Sequence, residues 1–157
     1  MLALLGFALS LVCAIAVLIS AARAAAMALP GRPQPWPDHL LRRTAATLGW
    51  AAGAVYALGL AGVAWSEAEV GDGADSTPAP ACREGFAPET IEGLTHHRAS
   101  YLPLRFDCVR EDGSVYVSDP DLVWMNWTWA ALALTAALLF LGMHYRTEVR
   151  ARRAAVR

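Results

Sequence analysis

Three stretches of this sequence, residues 2–22, 44–65 and 122–144, carry no charged side chain and end at a flank of arginine, glutamate or histidine. A helix needs roughly 20 apolar residues to cross the hydrocarbon core of a bilayer, so each is long enough to do so. Hydrophobic residues make up 56% of the chain and charged ones 17%, a balance that points away from an ordinary soluble domain. The expected fold class is an α-helical membrane protein with three transmembrane helices and a small disulfide-linked, β-hairpin-containing extracytoplasmic insert between helices 2 and 3. The expected segments are helix 1 over 1–23, a cytoplasmic Pro/Arg loop over 24–43, helix 2 over 44–65, an acidic linker over 66–80, the extracytoplasmic disulfide module over 81–121, helix 3 over 122–145 and a basic cytoplasmic tail over 146–157.

Charge placement orients these spans. All 13 basic residues are arginines, an absence of lysine that reflects a GC-rich coding bias. Nine lie at the flanks of apolar runs (Arg23, Arg32, Arg42, Arg43, Arg146, Arg150, Arg152, Arg153, Arg157), where they act as topology determinants; a nucleic-acid reader would gather them on a folded face. The insert 66–121 holds only Arg83, Arg98, Arg105 and Arg110 against twelve acidic residues. Arginine bias therefore predicts a multi-pass protein of the plasma membrane with its N-terminus outside, the 24–43 loop inside, the insert outside and the C-terminus in the cytoplasm. The rival for the first run is a signal peptide cleaved at Ala22-Arg23-Ala24, which the missing positive n-region and the length of the run disfavour. Trp124, Trp127 and Trp129 place the start of the third span at the membrane surface, where indole rings concentrate.

The connections are legible from their breakers. Pro30, Pro33, Pro35 and Pro37 prevent a continuous helix and predict a short surface loop with Trp36 in the headgroup region. The segment opening at Ser66-Glu67-Ala68-Glu69 and running to Pro80 is acidic and poor in large apolar groups, and is expected to be a flexible linker. In the second span Gly49, Gly53, Ala57 and Ala61 recur every four positions, forming a stripe that lets another backbone approach closely, within this chain or in a homo-oligomer.

Beyond Cys82 the apolar residues return, and they predict a small folded module. Leu104 to Arg110 and Val115 to Ser118 flank Asp112-Gly113, a pair suited to a two-residue hairpin turn that would set Cys108 opposite Val117 and Val109 opposite Tyr116. Cys82 and Cys108 flank the module and are expected to form a disulfide, because a unit this small has little core and lies where disulfides persist. Cys13, within the first span, is expected to stay free. The neighbours His96 and His97 read as a solvated loop pair, since adjacent residues diverge on any regular element.

The stretch Tyr101-Leu102-Pro103-Leu104-Arg105-Phe106-Asp107-Cys108, followed by Asp112-Gly113, resembles that of uncharacterised small actinobacterial membrane proteins with an extracytoplasmic cysteine-containing segment. The resemblance implies an outside location and a disulfide, and it implies no catalytic residue. The residues themselves supply no nucleophile with a base, no phosphate-binding glycine loop, and no ionisable group within a span such as a pump requires. Neither cofactor nor metal is expected. The function read from the sequence is that of a non-enzymatic integral membrane protein displaying a small module outside the cell, an accessory or interaction subunit whose partners are the lipid bilayer and another membrane protein, with no nucleic acid. The alternatives are a holin-like oligomeric pore former and, third, an extracytoplasmic redox or metal protein using Cys82, Cys108, His96 and His97.

Overall fold

The structure is a computed structural model that describes residues 1–28, 36–70 and 78–155; the prolines at 30–35 and the linker residues 71–77 lie outside the described residues. Its long elements are α1 (Leu2–Ala25), α2 (Trp36–Glu69) and α4 (Asp121–Ala155), and its short helix is α3 (Pro88–Ile91). By length and composition the three long helices are each apolar enough to cross a membrane. In α4 only 6% of the most apolar window is buried. Leu134, Leu138 and Leu141 on it are more than half exposed.

The long helices outrun the uncharged stretches. Pro37 sits in the first turn of α2, where its missing N–H is no loss, and Asp38 follows in the same turn, where a carboxylate meets the positive end of the helix dipole. At the other end, Ser66 to Glu69 is helical rather than the start of a linker, because no glycine or proline interrupts the chain before Gly71, and Trp65 Nε1 donates to Glu69 Oε1 at 2.7 Å. α4 begins directly after Pro120, with Asp119 Oδ1 accepting from the Asp121 N–H at 2.8 Å. Its arginine-rich end stays helical to Ala155 and is supported by an Arg152–Glu148 pair one turn apart.

The chain divides into two compact units, one of Met1–Ser10 with Val55–Trp127 and one of Leu11–Ala54 with Thr128–Arg157. The first contains a three-stranded antiparallel sheet in the order β1 (Leu94–Tyr101), β2 (Leu104–Arg110), β3 (Val115–Val117). β1 and β2 are joined through Leu102-Pro103, whose peptide bond is cis. One sheet face carries Leu104, Phe106 and Cys108, all essentially inaccessible, and they cluster with Val63 of α2, Ala79, Cys82 and Leu122 of α4.

Two expectations about the sheet are corrected. The hairpin register is Asp107 opposite Val117, Cys108 opposite Tyr116 and Val109 opposite Val115, one residue away from that expected. The connection has three residues: the Gly113 N–H donates to the Arg110 carbonyl at 3.0 Å, Gly113 takes a φ of +79°, and the Arg110 N–H bonds the Ser114 carbonyl. This is a turn closed by a left-handed glycine, a conformation that Asp-Gly serves as well as it serves a two-residue turn. His96 and His97 lie on β1, a strand hidden at the sequence level by its polar composition; the His97 ring stacks on Phe106 with centroids 5.0 Å apart.

Candidate functional site

The disulfide module is held together from within before it is held to the helices. Cys82 and Cys108 form a disulfide with Cα atoms 5.8 Å apart, closing a loop 26 residues long. Tyr116, brought opposite Cys108 by the observed register, donates its hydroxyl to the Cys82 carbonyl at 2.6 Å and meets Phe86 edge-on at 5.1 Å. Arg110 lies over the Tyr116 ring, 5.2 Å from its centroid, and donates Nε to the Thr90 carbonyl at 2.9 Å, so one side chain ties the sheet to the segment that precedes it. Hydrogen bonding from the Ser114 side chain, and next from the Ser114 N–H, which donates to Asp112 Oδ1 at 2.8 Å, lowers the Asp112 carboxyl pKa. Tyr116 is pushed upward by burial, with the Arg110 charge acting in the opposite sense.

The seat on the helices is the β1–β2 turn. Asn126, in the second turn of α4, donates Nδ2 to the Leu104 carbonyl at 2.8 Å and accepts at Oδ1 from the Leu104 N–H at 3.0 Å. A side-chain amide thus stands in for a neighbouring strand and satisfies both main-chain groups of a residue that is 0% exposed. From α2, the Tyr56 hydroxyl donates to the Tyr101 carbonyl at 2.9 Å, and the Tyr101 hydroxyl donates to the Glu67 carboxylate. That bond, with lesser help from burial and from the charge on Glu67, pushes the Tyr101 pKa up to about 12. Gly59 makes room for the Leu104 side chain: a Cβ there would stand 2.6 Å from Leu104 Cδ1 and 3.1 Å from Met125 Sδ.

The opposite sheet face bears charge. Asp107, 3% exposed, lies 3.5 Å from Arg98 and 3.3 Å from Arg105, whose side chains are 70% and 49% exposed. Two guanidiniums around one buried carboxylate leave this face net positive. On α4, Trp124 and Trp127 are 74% and 73% exposed and three residues apart, hence on one side of the helix.

The small-residue stripe of α2 is largely used within the chain. In the first unit Gly6 of α1 packs on Ala57 and Ala61, and a Cβ at Gly6 would fall 2.9 Å from Ala61 Cβ. In the second unit Gly53 faces Cys13, a buried free thiol whose Sγ is 3.3 Å from where a Cβ would be, while Gly49 has open space beside it. No family model, curated protein or solved structure matches this chain.

What sequence reading missed is the turn's seat. Asn126 and Tyr56 were visible only as polar side chains in apolar runs, and the cost of such groups in a span is the signal that each has a dedicated partner. Among the described residues no three His, Cys, Asp or Glu side chains converge as metal ligands would.

Proposed function

We propose that this chain is a non-enzymatic multi-pass membrane protein whose disulfide module is an extracytoplasmic contact surface for another membrane protein. The observation that carries the reading is the double hydrogen bond from Asn126 to Leu104, which fixes the module to the start of an apolar helix. A module so fixed presents the Arg98 and Arg105 face and the Trp124 and Trp127 pair in a set orientation, as a docking surface must and a tethered domain does not. The arginine bias puts the module outside, the C-terminal end of α4 in the cytoplasm and the chain in the plasma membrane. The Asp38–Arg150 ion pair agrees with this topology, because it brings the first turn of α2 and the last turns of α4 to one side.

Cross-linking in native membranes, followed by mass spectrometry, tests the partner; a heterologous membrane protein captured through the module, and lost in R98E/R105E, is the expected result. Recovery of self-oligomers alone, together with collapse of the membrane potential on expression, would replace this reading with the pore former. Labelling of intact cells that carry Ser76→Cys or Thr147→Cys tests topology: only the first should react.

A further inference from the structure

In the second unit the end of α1 and the beginning of α2 line an open cavity of about 610 Å³. One part of its lining is strongly basic, with Arg23 from α1 and Arg42 and Arg43 from α2; another is apolar, with Ala16, Ile19 and Trp50. Arg43 donates Nη1 to the main-chain carbonyl of Arg23. That carbonyl belongs to the last turn of α1, where the helix has no partner of its own to offer, so the bond holds the Arg43 guanidinium at the mouth and leaves its other N–H groups to donate elsewhere.

Among the described residues, Arg23 and Arg42 make no ion pair and no carboxylate lines this cavity. Asp38, one turn before Arg42, is engaged by Arg150 at 2.5 Å. Three guanidiniums around one space repel one another, and an anion with several acceptor oxygens relieves the repulsion while accepting paired hydrogen bonds. The apolar lining lies to one side of this basic mouth. Trp50 is seven residues beyond Arg43, roughly 10 Å deeper along α2 at 1.5 Å per residue, and Ile19 is one turn deeper than Arg23 along α1. Ile19 and Trp50 are 48% and 45% exposed, so they offer a surface along which a hydrocarbon chain can lie.

We infer that this cavity binds an anionic phospholipid, its phosphate held by Arg23, Arg42 and Arg43 and one acyl chain running along Ile19 and Trp50. Basic pockets between helices on the cytoplasmic side are suited to such headgroups. The inference rests on the long helices lying in a bilayer, as in the reading above, and not on the module's role as a contact surface. The arrangement joins the ends of two helices through one lipid and anchors the chain to the anionic leaflet at a defined point.

The test uses the full-length chain in nanodiscs of phosphatidylcholine doped with phosphatidylglycerol, with the lipid retained after transfer to detergent counted by native mass spectrometry. The expected result is one retained phosphatidylglycerol, with retention weakened about fivefold in R42Q and about 25-fold in R23Q/R42Q, at about a fivefold factor per arginine. The tail variant R146Q/R153Q, which loses the same charge elsewhere, should bind like the parent. Inorganic phosphate and glycerol 3-phosphate should not displace the lipid. Unchanged retention in R42Q and R23Q/R42Q, equal loss in R146Q/R153Q, or displacement by either soluble anion would each overturn the site. A chain that does not reconstitute into nanodiscs at all would remove the membrane reading and this site together, whereas loss of partner capture would leave the site standing.

Discussion

Replacing Asn126 by leucine removes the amide that brackets Leu104 while keeping a side chain of similar reach, so no cavity complicates the result. Two hydrogen bonds, at 2.8 and 3.0 Å, disappear. At about 1 kcal/mol each the loss is about 2 kcal/mol, and even the lower value of about 0.6 kcal/mol per polar contact within bilayers leaves about 1.2 kcal/mol. The Leu104 N–H and carbonyl, in a residue 0% exposed, are left without these partners, and the desolvation penalty for such groups raises the total towards about 4 kcal/mol. The expected destabilisation of N126L is therefore about 2–4 kcal/mol. Reversible unfolding in mixed micelles measures it, and hydrogen exchange at the Leu104 amide localises it: exchange there should accelerate far more than in the β2–β3 hairpin. If N126L unfolds within about 0.5 kcal/mol of the parent, the range of an ordinary surface change, and Leu104 stays protected, then Asn126 does not seat the module.

Three further perturbations follow from the same geometry. Removing the disulfide in C82A/C108A should cost about 3.5 kcal/mol in the chain-entropy picture for a loop of 26 residues; reductant should lower the stability of the parent and leave the double variant unaffected. Gly59→Ala should cost about 1–3 kcal/mol by overpacking against Leu104 and Met125, whereas Gly49→Ala, beside open space, should be neutral or stabilising by up to about 1 kcal/mol through helix propensity; thermal unfolding of the pair checks both. Tyr101 keeps its proton more tightly in the folded chain, so its contribution to stability is complete below its unfolded value near 10 and is lost as pH rises through about 12. The stability advantage of the parent over Y101F should shrink across that interval, and tyrosinate absorbance should lose its latest-titrating component in Y101F.

The seat of the module also gives physical content to its proposed use as a contact surface. A docked face loses less entropy on binding than a tethered one, because its orientation is already settled. In this chain the settling is done by few groups. Asn126 and Tyr56 hold the β1–β2 turn, Tyr101 reaches Glu67, and Leu104 fills the space above Gly59. They come from α2, α4, β1 and β2, so loosening any one of them should weaken the proposed partner capture without touching the Arg98 and Arg105 face itself.

The uncharged runs alone determine that three long apolar helices form, since a stretch of that length with no charge has few other soluble or membrane solutions. The spacing of Cys82 and Cys108 around an apolar patch likewise suffices for the disulfide, and prolines stand at the starts of α2 and α4, although Ser66 to Glu69 shows that acidity alone does not end a helix. Other features depended on tertiary contacts. The strand Leu94–Tyr101 has the composition of a loop and becomes a strand only by pairing with β2. The register of β2 with β3 turned on one residue of turn length, which Asp-Gly permits either way, and the observed choice puts Tyr116 where it reaches Cys82. Small residues at Gly53, Ala57 and Ala61 announce a close approach but not by what; the structure supplies Cys13 and Gly6 of the same chain. Asn126 is the clearest case, for a lone amide in an apolar run declares that it has a partner, while the partner is a main-chain segment distant in sequence that only the folded chain brings within 3.0 Å.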